Sequence, residues 1–101
     1  MHYRIYLFNP RPFLGERIAV AATLHLPSER RFYLAPRLPS EPFLSPGATS
    51  LLRICLRRIE NTPDERELHK SLGPHLHTKS QALTLPDGAD LDAWMLRMFD
   101  D

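Results

Sequence analysis

The sequence predicts an α+β domain in which a small antiparallel sheet of three or four strands packs on a central helix, in the order β-β-β-α-α-β-α. Three observations carry that reading. Residues 45–61, SPGATSLLRICLRRIEN, repeat apolar side chains at helical spacing. The segments before them alternate in twos and are bounded by Pro, Gly and Ser. A chain of 101 residues has room for one core, so a single domain over 1–101 is expected.

The first strand runs from Tyr3 to Phe8, with Tyr3, Ile5 and Leu7 on one face and Arg4, Tyr6 and Phe8 on the other. NPRPFLGE then forms a loop. Arg17 to Leu26 is a second strand whose alternation puts Ile18, Val20, Ala22, Leu24 and Leu26 together, opposite Arg17, Ala19, Ala21, Thr23 and His25. PSER turns the chain into a third strand, Arg31 to Ala35, with Phe32 and Leu34 inward, which makes an antiparallel hairpin. Four prolines between Pro36 and Pro46 describe an extended crossover carrying Phe43 and Leu44 toward the core.

Ser45-Pro46 supplies an N-cap and a first helical residue, because proline there loses only an N–H with no intrahelical acceptor. Leu51, Leu52, Ile54, Cys55, Leu56 and Ile59 then cover an arc of roughly 200° at about 100° per residue. Such an arc asks for cover on more than one side and leaves Ser50, Arg53, Arg57, Glu60 and Asn61 outward. Thr62-Pro63-Asp64-Glu65 reads as a capping box opening a short helix from Pro63 to about Leu72, stopped by Gly73-Pro74. Leu76 to Leu85 is a fourth strand with Leu83 and Leu85 inward. From Asp90, the spacing of Leu91, Trp94, Met95 and Met98 with Phe99 beside them predicts an amphipathic helix that frays at Asp100 and Asp101.

Composition narrows the function classes. Apolar residues at 43% and charged residues at 25% describe an ordinary globular protein and argue against disorder. The N-terminus MHYRIYLFNP lacks the apolar core of a signal peptide, and no apolar run approaches the ~20 residues of a membrane span. A single cysteine, Cys55, on the apolar arc excludes a disulfide framework, so a reducing, cytoplasmic location is expected.

Net charge is only +1, yet residues 1–58 hold nine arginines against three glutamates, and residues 59–101 hold four cations against nine carboxylates. The division predicts a basic surface, an acidic surface, or pairing of the two halves. Arginines outnumber lysines eleven to two, as GC-rich coding predicts, which fits a bacterial or phage source; arginine also suits phosphate and carboxylate recognition.

Among candidate sites, His69, His75 and His77 crowd together, and His75 and His77 would share a strand face at metal-ligand spacing, with Glu65 and Glu67 near. The run His75-Leu76-His77-Thr78 does not satisfy the paired His-x-Thr/Ser motifs of two-histidine phosphoesterases, because position 77 holds histidine and His25 is followed by Leu26-Pro27. No glycine-rich phosphate loop or nucleophile elbow is present, and no cofactor is implied. Arg53 and Arg57, one turn apart, together with Arg30-Arg31, Arg11 and Arg17, form a candidate contact surface on which Tyr6 and Tyr33 would stack on bases if the partner were nucleic acid. Trp94, Met95, Met98 and Phe99 are the most interface-like cluster.

The expectation is therefore a non-catalytic protein-binding or inhibitory module, a homodimer being allowed, of the kind found among phage or mobile-element accessory proteins that act on host defence complexes. Its partner-binding residues would be Arg30, Arg31, Arg53, Arg57, Trp94, Met98 and Phe99. A nucleic-acid-binding protein using the Arg-rich half is the alternative, and a metal-dependent hydrolase using His75 and His77 the second alternative.

Overall fold

Strand β1 (His2–Phe8) lies inside an antiparallel four-stranded sheet, with β2 (Ile18–His25) on one side and β4 (Leu76–Ala82) on the other; β3 (Arg30–Leu34) pairs outside β2, giving the order β3-β2-β1-β4. The computed structural model describes residues 1–11, 17–38, 44–62, 64, 66–67, 70, 73–84, 86 and 88–99. Helix α1 (Pro46–Asn61) connects the β3 edge toward β4, and helix α2 (Leu91–Arg97) follows β4. The class is α+β, with both caps where the sequence places them: Ser45 Oγ accepts from the Ala48 N–H, and the Asp90 carboxylate from the Ala93 N–H.

Because the first strand is apolar on both faces, the sheet forms a core on each side. Tyr6, Phe8, Val20, Ala21 and Leu76 cluster with Leu44 and with Leu52, Cys55 and Ile59 of α1. Ala22, Leu24 and Tyr33 cluster with Met95 of α2, flanked by Tyr3, Ile5, Trp94, Met98 and Phe99. The sheet therefore stands between two helical covers, where the sequence reading placed a helix at the centre.

Strict alternation in β2 fails at one point. The register runs from Tyr6↔Ala21 to Leu7↔Ala19, which leaves Val20 as the extra residue of a β-bulge. Ile18 and Val20 consequently pack with the α1 cluster, and Ala22 and Leu24 with the α2 cluster. In β3 it is Tyr33 that turns inward, at 8% exposure, while Leu34, expected inward, is 45% exposed.

Thr62 closes α1, its N–H bonding to the Arg58 carbonyl at 2.8 Å, and the Asp64 carboxylate accepts from the Arg66 N–H at 2.9 Å. Most of the helix predicted over 63–72 lies outside the described residues, as do Phe43, Leu85 and the C-terminal aspartates. No helix among the described residues is long and apolar enough to cross a membrane.

Candidate functional site

The arginines singled out in the sequence do not assemble into one surface. Arg30 ends the β3 side of the hairpin and reaches over to α1, donating to the carbonyls of Ile59 and, at 3.1 Å, of Glu60. These are carbonyls that a helix C-terminus leaves without intrahelical donors, and a cation there also opposes the negative end of the helix dipole. Arg31 sits on the opposite face of the sheet. Its guanidinium pairs with Glu29 at 2.9 Å and with Asp92 at the start of α2 at 3.3 Å. Tyr33 donates its hydroxyl to the same Asp92 carboxylate.

This group couples the two halves of the chain. The Tyr33 hydroxyl, then the Arg31 guanidinium, hold the Asp92 carboxyl below the usual carboxylate range. Burial, and after it the Asp92 bond, push the Tyr33 phenol above its ordinary value, and the Glu29 carboxylate raises Arg31 further.

Trp94, Met98 and Phe99 are partly buried against the α2 cluster, and Trp94 meets Tyr3 edge to face at 5.4 Å. The tyrosines proposed for base stacking are inside as well, Tyr6 at 0% exposure and Tyr33 at 8%.

Nor do the histidines form the expected pair. His75 belongs to a short 3-10 turn (Gly73–His75) ahead of β4, not to the strand, and its Nδ1 bonds the Asn9 carbonyl at 2.9 Å while its own carbonyl accepts from the Asn9 N–H. His77 lies on β4 opposite Leu7, and His69 lies outside the described residues. Among the described residues no group of three or more His, Cys, Asp or Glu is placed to hold a metal. Burial pushes the Cys55 thiol up to about 11, against the pull of Arg58, which favours the protonated thiol at neutral pH.

A polar row that the sequence reading did not connect runs across the sheet. Arg4 donates to the Tyr6 hydroxyl at 3.3 Å, that hydroxyl meets Thr23 Oγ1 at 3.2 Å, and Thr23 meets His25 Nε2 at 2.9 Å. The His25 ring stacks on His2 at 4.4 Å. Tyr6 and Thr23 have no exposed surface, so the row satisfies their hydroxyls inside the core.

What remains open is the outward face of α1. Arg53, Ile54, Arg57, Arg58 and Asn61 line a depression of about 660 Å³ there. Ile54 is 50% exposed, although the sequence reading counted it in the covered arc, and Arg58 is exposed beside it. At about 100° per residue, Arg58 falls on one side of Ile54 and Arg53 and Arg57 on the other. Among the described residues none of the three guanidiniums enters an ion pair. Ile54 was missed because helical periodicity identifies a stripe but not where its cover ends. No family model, characterised protein or solved structure matches the chain.

Proposed function

We propose that this chain is a non-catalytic protein-binding module that docks through the outward face of α1. One observation carries the reading: a half-exposed isoleucine, Ile54, set among three arginines that no described carboxylate neutralises. Arginine and an apolar side chain side by side are the composition of a protein contact surface, where the guanidinium supplies directional bonds and the aliphatic group loses water on contact. Acting by occupying a partner's surface is inhibition in its simplest form, and it is the form we assign here.

The nucleic-acid alternative has less support. Two of its arginines, Arg30 and Arg31, are engaged within the fold, and its stacking tyrosines, Tyr6 and Tyr33, are buried. The hydrolase alternative loses the shared strand face of His75 and His77.

The test is capture from bacterial lysate on the immobilised chain, with and without nuclease, at two salt concentrations, beside an Ile54→Asp variant. The reading expects a protein retained after nuclease and at moderate salt, and released by Ile54→Asp. Recovery of nucleic acid alone, vanishing as salt rises, would replace it with the alternative.

A further inference from the structure

Resting on that reading of α1, we propose that the occupant of its outward face is an acidic amphipathic helix of a partner protein, with carboxylates one turn apart and an aliphatic side chain between them. The spacing of the arginines argues for a helix. Arg53 and Arg57 follow each other at four residues, a rise of about 6 Å along α1, and carboxylates at i and i+4 of an opposing helix repeat at the same interval. Guanidinium and carboxylate meet in a two-point geometry that ammonium does not offer. Arg58, on the far side of Ile54, lines the same depression, and the half-exposed isoleucine is the apolar side chain of that lining.

Two other occupants fit worse. A second copy seated α1 against α1 would bring three arginines onto three arginines, and like charges at contact distance oppose association. A nucleic-acid duplex would satisfy the guanidiniums, but its outer surface is dominated by charged phosphates and offers Ile54 little apolar area. An acidic helix with one aliphatic residue meets both kinds of group on the face.

The experiment is fluorescence anisotropy of the full chain with three labelled probes. These are a helical peptide carrying Glu at i and i+4 with Leu between them, the same peptide with that Leu replaced by Ser, and a DNA duplex. The Leu peptide is expected to bind at least about tenfold tighter than the Ser peptide. An Ile54→Ser variant should erase the difference between the two peptides, and an Arg53→Glu/Arg57→Glu variant should release both. All three substituted positions are exposed, and circular dichroism verifies that the variants are folded.

Equal affinity for the two peptides, tighter binding of the duplex, or no binding of either peptide would overturn the proposal. The two readings fail separately. Lysate capture that Ile54→Asp abolishes, with neither peptide bound, removes the acidic helix and leaves the docking face; capture indifferent to Ile54→Asp removes both.

Discussion

Replacing Arg30 with alanine tests whether this residue belongs to the fold or to a binding surface. Its guanidinium donates to the Ile59 and Glu60 carbonyls at the end of α1, and its Nε is buried without an acceptor. The partly buried bond to Ile59 is charge-assisted and contributes about 1.5–3 kcal/mol, and the exposed one to Glu60 about 0.5–1 kcal/mol after solvent screening. Against these stands the desolvation of Nε, about 1–3 kcal/mol, which alanine relieves. At the midpoints of these ranges the balance is a destabilisation of about 1 kcal/mol. Urea unfolding followed by circular dichroism measures it, with the midpoint falling and the slope unchanged. A change below about 0.5 kcal/mol, within the scatter of ordinary surface substitutions, would show that Arg30 does not hold α1 and would return it to the pool of contact residues.

Two further predictions concern titration. Cys55 is held protonated, up to about 11, so as pH rises the unfolded chain loses its thiol proton first and stability falls from about pH 9 toward that value. The loss attributable to the thiol reaches about 2–3 kcal/mol, and it should be absent in Cys55→Ala; equal alkaline losses in the two proteins would refute the assignment. Asp92 has a depressed pKa, so its contribution is present above the ordinary carboxylate value and disappears as pH falls through the depressed one. Tyr33→Phe removes the largest cause of that depression and should flatten the acid limb of the stability curve. An unchanged acid limb would place the depression elsewhere.

The local chemistry of this chain was legible, and the long-range chemistry was not. Ser45 and Asp90 announce their helices because a cap and the N–H that donates to it lie three residues apart. Period two located the strands, yet the bulge at Val20 was invisible, since one extra apolar residue in an apolar strand changes no residue type. Arg30 and Arg31 are neighbours in sequence and read as one basic pair. Strand alternation sends them to opposite faces, one to carbonyls about thirty residues on and the other to Asp92 at a separation of 61. Nothing local to either arginine encodes its partner. The two arginines forecast on α1 were legible as outward because helical phase is a local property; that Arg58 and Ile54 join them depends on where the neighbouring chain stops.

Arg53 and Arg57 are also poorly placed for the helix that carries them, whereas Arg58 in the last turn suits its dipole. An exposed helix gains from an acid four residues before each cation, and the positions four before Arg53, Arg57 and Arg58 hold Thr49, Arg53 and Ile54. Arg53 and Arg57 instead form a like-charge pair at i, i+4, which costs a few tenths of a kcal/mol. Arg53→Glu turns that repulsion into an attraction in the favourable orientation, glutamate preceding arginine, so the variant should be more stable than the parent by about 0.5–1 kcal/mol. The same change removes one of the two guanidiniums of the proposed docking face, so on that proposal affinity for the acidic peptide should fall. Thermal unfolding and anisotropy on one variant then move in opposite directions, the pattern expected where a surface is kept for a contact at some cost in stability. A variant that loses both would show Arg53 to be structural; one that gains stability and keeps its affinity would move the contact off this face.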